Sequence, residues 1–280
     1  MKLNSRSEVR DDFVLGLAVG NSHLHWGLFL GKKLCFTWDS KHLPEDVILQ
    51  IPQCQTLDDL ITLTTQFSFP SHSPAIYCPP PIFLASVVPQ ETQKWLSYSN
   101  IQVITLNQVP LKEIYPTLGI DRALALLGTG KKYGFPALVI DAGTALTFTG
   151  VNENECLVGG AILPGLGLQL ASLGENTGQL PLLTTGEILH LPPRFALHTK
   201  TAILSGVIYM LLAGIQDFID HWFSLFPHSQ IAITGGDGTL LTDLLIQLSP
   251  SLGKRLIPDP HLILWGIEEV LRNHSNSEKV

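Results

Sequence analysis

Little of this sequence is charged. Aspartate, glutamate, lysine and arginine make up 15% of the 280 residues, against 45% hydrophobic. That composition allows a sizeable core and argues against disorder. The charges sum to −7, which excludes a general nucleic-acid binder, since such a protein presents a basic face. An anionic small substrate is still allowed, because a local site can be positive. Cysteine is scarce too. Cys35, Cys54, Cys78 and Cys156 include no C-x-x-C pair, so they read as reduced thiols rather than a disulfide or metal set. Neither a Walker lysine motif nor G-x-S-x-G is present. His23 and His25 lie two apart, with the reach of a metal pair, but no third ligand is in view. No apolar run precedes Asp12, so no signal peptide is visible. The longest apolar helical stretch, 202–215, is short of the roughly 20 residues of a membrane span. A soluble, cytoplasmic protein is expected, with neither membrane nor nucleic acid as partner.

What the chain does have is centred on LVIDAGTALTFTGV, Leu138 to Val151. Leu138, Val139 and Ile140 read as a buried strand ending at Asp141. Gly143 marks a turn that needs positive φ or no side chain in the way. Alternation then resumes through Leu146, Thr147, Phe148 and Thr149, so the stretch is a hairpin. Its turn offers a carboxylate, backbone N–H groups and a hydroxyl, which suits a nucleotide phosphate and its counter-cation. An ordinary tight hairpin has the same composition. The pattern occurs twice, however. LGLAVGNSHLHWGLF, Leu15 to Phe29, repeats it, and superposing Gly20 on Gly143 sets Ala18 on Asp141, Asn21 on Thr144 and Ser22 on Ala145. A duplicated domain with two such turns is the expectation.

Residues 1–11 read as a tail. Strands are predicted over 13–19, 23–30 and 33–38, with turns at Gly20 and Gly31. LDDLITLTTQF, from Leu57, has helical spacing, and Pro70 to Pro81 is a surface connection. A buried strand follows at 81–89, a short helix at 90–97 and a strand at 101–106. YPTLGIDR, Tyr115 to Arg122, concentrates chemistry just before a helix at 123–130. Asp121 there is either a site residue or a helix N-cap. A strand running from Gly159 into Pro164 and Gly165 precedes a helix at 166–173. Residues 182–197 show little order, 199–218 a long buried helix, and IAITGGDG, 231–238, a strand ending in a double glycine at a helix start. A last helix at 261–270 leads to a polar tail.

In that order the chain carries VGNS at 19–22, ASVVP at 85–89, GIDR at 119–122, DAGTALT at 141–147, GGAILPG at 159–165, a LxxxTxxLP loop at 173–181, TKTAILSG at 199–206 and TGG at 234–236. On these motifs it resembles the type III pantothenate kinases of the acetate and sugar kinase/Hsp70/actin superfamily, from about Leu15 to Gly266. The resemblance implies an α/β fold of two actin-like, ribonuclease H-like domains, 12–118 and 119–272, with a nucleotide cleft between them. It implies transfer of the γ-phosphoryl of ATP to pantothenate, the first step of coenzyme A synthesis, by a homodimer. A divalent cation such as Mg2+ and a monovalent one, K+ or NH4+, are implied as well. By position, the turn Ala18, Val19, Gly20, Asn21, Ser22, His23, Leu24 and His25 would lie along the ATP phosphates, with Thr144 also touching ATP. Asp121 would be the catalytic base. Tyr115, Gly119, Ile120, Asp121, Arg122 and Thr199 would bind pantothenate, Arg122 being a natural partner for its carboxylate. Asp141 would hold the monovalent cation.

Two positions depart from the family's pattern. Ala18 and Thr149 stand where aspartates are usual, so the divalent ion would have a poorer protein shell. Those losses motivate two rival readings: a regulatory relative that binds nucleotide without turnover, or a kinase of another small hydroxy substrate.

Overall fold

The computed structural model describes residues 13–66 and 79–277. The expected tail at 1–11, the connection from 70 to 78 and the last three residues lie outside the described residues. The chain divides into two compact units. The first holds the described residues up to Pro110, Tyr115–Gly128 and those from Ile263 on; the second holds Leu111–Ile114 and Thr129–Leu262. The division is therefore not a single cut near 118: the start of the helix after Gly119 and the C-terminal helix go with the first unit.

The first unit is built on strands β1 (Phe13–Val19), β2 (Leu24–Leu30), β3 (Lys33–Ser40), β4 (Ile82–Ser86) and β5 (Ile101–Val103), in the order β3-β2-β1-β4-β5. β1 pairs antiparallel with β2 and parallel with β4, so it is central. A central strand is covered on both faces, which is why FVLGLAV is almost wholly apolar. Helices α1 (Glu45–Ile48), α2 (Leu57–Thr65) and α3 (Pro89–Trp95) belong here, with the start of α4 (Ile120–Tyr133). Helix α2 begins with a capping box: Asp59 N–H donates to Thr56 Oγ1 at 3.1 Å, and Thr56 N–H to Asp59 Oδ2 at 2.8 Å. The predicted strand over 101–106 stops at Val103. Pro89, expected only to end a strand, opens α3, where its missing N–H costs nothing.

Tryptophans form the centre of this core. Trp26 stacks on Trp38 at 5.3 Å between centroids and meets Trp95 edge-on at 5.5 Å. Both donating indoles are satisfied, Trp26 Nε1 by Ser40 Oγ and Trp38 Nε1 by Thr64 Oγ1, each at 3.0 Å.

The second unit repeats the plan with β6 (Ala137–Ala142), β7 (Ala145–Val151), β8 (Leu157–Pro164), β9 (Gln230–Thr234) and β10 (Leu256–Pro258), ordered β10-β9-β6-β7-β8. Substituting β6 for β1, β7 for β2 and so on reproduces the first sheet strand for strand, with the same parallel and antiparallel pairs. The duplication seen in the hairpins thus extends to the whole sheet. Its helices are α5 (Leu166–Glu175), α6 (Thr199–Leu225), α7 (Gly238–Leu248) and α8 (Pro250–Gly253); α9 (Leu262–Ser277) closes the chain in the first unit. The 250s, unassigned from the sequence, supply α8 and β10.

Helix α6 corrects an expectation. The apolar stretch 202–215 lies in a helix of 27 residues whose most apolar 18-residue window has a mean hydropathy of 1.8, long and apolar enough to cross a membrane. Length therefore does not argue against a span. Packing accounts for the composition instead: Ile203, Val207, Ile208, Leu211, Leu212, Ile215, Ile219 and Trp222 are buried in the core of the second unit. Near the end of α4, burial pushes the Asp259 carboxyl up, but bonds from Lys132 Nζ (2.8 Å), Tyr133 Oη (2.7 Å) and the His261 N–H (2.9 Å) outweigh it. Asp259 sits below its ordinary value, ionised.

Removing the central indole tests this account of the first core. Trp26→Ala should destabilise by about 3–5 kcal/mol, read as a lower denaturant midpoint with tryptophan fluorescence. An unchanged midpoint would mean the cluster does not hold the unit together.

Candidate active site

In the first unit the site is built at the carboxyl ends of the parallel strands β1 and β4. The register pairs Ala18 with Ala85 and Val19 with Ser86. One residue on, the Val87 N–H donates to Val19 O at 3.3 Å. Beyond Val19 the chain turns through Gly20–His23 and re-enters the sheet at Leu24, the Gly20 N–H donating to His23 O at 3.1 Å. Asn21, Ser22 and His23 are exposed. Of the residues expected along the phosphates, Ala18, Val19 and Leu24 have buried side chains, which leaves their backbone as the available part. His25 is on β2 opposite Asp39, its Nδ1 2.8 Å from Asp39 Oδ1.

Val87 also reaches the second element of the site. Its Cγ1 would lie 3.8 Å from a Cβ placed at Gly119. The turn and the GIDR stretch therefore share one end of the sheet, the end at which open α/β sheets bind ligands. Gly119 O accepts the Ala123 N–H at 3.1 Å and so starts α4. Asp121 is inside the first helical turn rather than at the N-cap. Its Oδ1 accepts the Arg122 N–H at 2.7 Å. A Cβ at Gly119 would collide with that same oxygen, so glycine is what allows the carboxylate its position. Burial pushes the Asp121 carboxyl above its ordinary value of 3.8, while the Arg122 N–H and guanidinium pull it back. Arg122 is buried, and its Nη1 donates to Tyr115 Oη at 3.1 Å. Tyr115 is 40% exposed. Tyr115, Gly119, Asp121 and Arg122 thus come together in one unit; the Ile120 side chain is buried.

Asp141, Thr144 and Thr199 belong to the second unit. Asp141, near the end of β6, pairs with Thr147 on β7 and Thr234 on β9. Thr144 is exposed in the turn, and Thr199 is the exposed first residue of α6. Thr149 is buried mid-strand between Val139 and Gly160, and Ala18 is likewise buried. The two turns are not identical. Four residues, 20–23, separate the last paired positions Val19 and Leu24, whereas three, 143–145, separate Ala142 and Leu146. The match of Gly20 with Gly143 holds on the entering strand and slips by one on the leaving strand.

Glycine at 143 is not there for the reason expected. Neither Gly20 nor Gly143 has positive φ, and a Cβ at either would make only ordinary contacts. The demanding glycines of the second unit are others. Gly235 has φ +88°, and a Cβ there would lie 2.6 Å from Asp141 Oδ1. Gly165 donates its N–H to Thr144 O at 2.9 Å, and a Cβ there would strike Gly143 O. Both press against the end of β6. Asp237 was missed from the sequence. Its N–H donates to Ala142 O at 2.9 Å. Burial pushes its carboxyl up, countered by the Gly167 N–H. Its position one after the double glycine was the available signal.

Two sheets of one strand order, each with a glycine turn at the carboxyl end of its central strand, define a protein of the acetate and sugar kinase/Hsp70/actin superfamily. Solved structures share the fold. A putative Baf family transcriptional activator from Campylobacter jejuni aligns over 94% of this chain and 100% of its own, with a TM-score of 0.59 at 21% identity. An activator of 2-hydroxyisocaproyl-CoA dehydratase from Clostridium difficile with bound ADPNP aligns over 95% and 97%, with a TM-score of 0.50 at 9% identity. The type III pantothenate kinase family model matches residues 14–221. Type III pantothenate kinases from Nostoc sp. and Synechocystis sp. are 55% and 43% identical, over 92% and 91% of this chain and 94% and 89% of theirs. The chain belongs to the type III pantothenate kinase family.

The shift of Asp121 has a consequence for stability. Because its folded pKa is raised, the folded chain keeps the proton to higher pH than the unfolded chain. The stabilisation is complete below the unfolded pKa and lost as pH rises through the folded one. At pH 7 the ionised carboxylate is a cost, so Asp121→Asn should raise the thermal midpoint at pH 7 and leave it little changed at pH 4. A lower midpoint at pH 7 would contradict the burial argument.

Proposed function

We propose that this chain transfers the γ-phosphoryl group of ATP to the primary hydroxyl of pantothenate, the first committed phosphorylation of coenzyme A synthesis, with Asp121 as the base. The observation that carries the assignment is the carboxylate itself: half-buried, raised above its ordinary value, at the start of α4 and the same sheet end as the Gly20 turn.

Phosphoryl transfer asks for positioning and charge neutralisation more than for covalent help. The pantothenate oxygen bonds to the γ-phosphorus as the bond from phosphorus to the bridging β–γ oxygen breaks. ADP leaves, and the hydroxyl proton passes to Asp121. A carboxylate held above its usual pKa takes that proton more readily than a free one. Arg122 and Tyr115 receive the pantothenate carboxylate, the guanidinium being oriented by the tyrosine hydroxyl. Gly119 and Ile120 contribute backbone, and Thr199 is assigned to the same substrate on the family resemblance. The Gly20–His23 turn lies along the ATP phosphates and Thr144 also meets ATP. This is supported by the absence of any demand for glycine from within the chain, since a Cβ at Gly20 or Gly143 would make only ordinary contacts.

Asp141, with the backbone carbonyls of its turn, is an oxygen-only donor set of the kind a hard cation takes, and we assign it a monovalent ion, K+ or NH4+. Such an ion would offset phosphate charge. With Ala18 and Thr149 both buried and neither a carboxylate, a divalent ion such as Mg2+ would be held mainly by ATP. A homodimer is proposed, supported by exposed apolar side chains in the second unit. Val158 and Ile162 lie on the edge strand β8, and Met210 on α6. The thiols of Cys35 and Cys156, neither joined in a disulfide, support a cytoplasmic setting. The 12–118 and 119–272 division is retained as the proposed extent of the two actin-like repeats in the sequence.

A coupled ADP-release assay tests the base. Asp121→Asn should lower kcat by on the order of 10²–10⁴-fold. In the wild type, kcat should fall as pH drops through a value above the ordinary carboxylate range. Full activity in the variant removes Asp121 from the mechanism. Gly20→Val tests the turn. A Cβ at Gly20 would meet nothing closer than the His23 backbone oxygen, at 3.5 Å, so the fold should survive while KM for ATP rises at least about tenfold, KM for pantothenate staying level. An unchanged KM for ATP would take the turn out of the nucleotide site.

A further inference from the structure

Behind the exposed Gly20–His23 turn lies a side chain that none of the motifs contains. His42 follows β3 and is held in place by its neighbours in the chain. Ser40 Oγ is fixed by the Trp26 indole at 3.0 Å, and Leu43 is buried in the core of the first unit. From there the imidazole reaches two groups. Nε2 is 3.2 Å from the backbone oxygen of Asn21, and Nδ1 is 3.4 Å from Oε2 of Glu91 on α3. The other carboxylate oxygen of Glu91 is engaged by Lys94 Nζ at 2.7 Å. The atoms facing each other, His42 Nδ1 and Glu91 Oε2, are buried and make no ordinary hydrogen bond. Buried polar atoms without a partner are costly, so the close approach of these two matters to both.

Both groups that face the ring are acceptors. A carbonyl oxygen and a carboxylate oxygen have no proton to give. A carbonyl oxygen only accepts, so the ring donates to Asn21 through Nε2, with the Glu91 carboxylate on its other side. The ring contact with Asn21 also fixes a direction. The only cis peptide among the described residues is Phe135–Pro136, so the Asn21–Ser22 peptide is trans and its C=O and N–H point to opposite sides. The His42 contact thus fixes the plane of that peptide, and with it the course of the turn.

We infer that His42 and Glu91 are positioning residues for the phosphate-binding turn: the imidazole, set in place by Glu91, holds the Asn21 carbonyl and so fixes the turn where the nucleotide's phosphates would meet it. The inference rests on the proposal that this turn receives the ATP phosphates. It predicts an effect specific to phosphate, because the ring holds only the turn.

Binding of AMP-PNP and of adenosine to the full-length protein, by calorimetry, separates the cases. His42→Ala should weaken AMP-PNP about tenfold and leave adenosine within about twofold, with KM for pantothenate unchanged. Glu91→Gln should weaken AMP-PNP in the same sense, and the double variant should be no worse than His42→Ala alone. His42→Gln, which restores a donor to Asn21, should recover part of the loss; it also serves if the alanine variant folds poorly. If AMP-PNP affinity survives His42→Ala but is lost in Gly20→Val, His42 has no such role and the turn keeps its own. If neither substitution changes AMP-PNP affinity, the turn is not the phosphate site and both readings fall. Equal losses for AMP-PNP and adenosine would mean general distortion and would also overturn the inference.

Discussion

The parallel ladder between β1 and β4 governs the chemistry of the first unit. It sets Ala18 beside Ala85 and brings Val87 to the Val19 carbonyl. Through Val87 the glycine turn and the start of α4 meet at one sheet end. A slip of one residue in that ladder would turn every side chain of β4 to the opposite face and take Val87 away from Gly119. The ladder is specified by burial on both faces: Leu15, Leu17, Ile82 and Leu84 are all inaccessible to solvent.

The second unit repeats the ladder with β6 and β9, and the comparison shows which features the plan needs. Both central strands end in a glycine turn, and in both a backbone N–H beyond the parallel partner returns to the central strand: from Val87, directly after Ser86, to Val19, and from Asp237, past the double glycine after Thr234, to Ala142. What differs is chemistry. One unit places an alanine where the other has Asp141. The first carries the GIDR carboxylate and its arginine; the second carries the crowded glycines, Gly165 and Gly235, and the carboxylate of Asp237. A duplicated scaffold with diverged ends lets each unit keep the same core while specialising its loops.

The fold was largely legible because its signals are local. Continuous apolar runs marked the central strands, alternation marked their antiparallel neighbours, and the strands at 13–19 and 33–40 and the helix after Leu57 fall where periodicity puts them, to within a residue or two at their ends. Short elements were harder. β10 has three residues and α8 four, too few for a period to appear, and both owe their form to packing. α6 shows the converse: its true length, to Leu225, includes Asp217 and Asp220 on an exposed side, which break the apolar run without breaking the helix.

For the candidate site, the sequence by itself determined which residues are candidates: the GIDR carboxylate and arginine, the paired glycine turns, the aspartate before the second of them. Those follow from residue type and spacing along the chain. Tertiary structure alone decided that Tyr115 orients Arg122, that Gly119 is needed for the Asp121 oxygen, and that Gly165 and Gly235, not Gly143, are the crowded glycines. It also decided that His42 stands behind the turn with Glu91 against it. The reason is physical. Hydrogen bonds and steric exclusion act through space over about 3 Å, between residues as near in the chain as Gly119 and Asp121 and as far apart as Asp141 and Gly235, and no pattern in the linear chain records that distance.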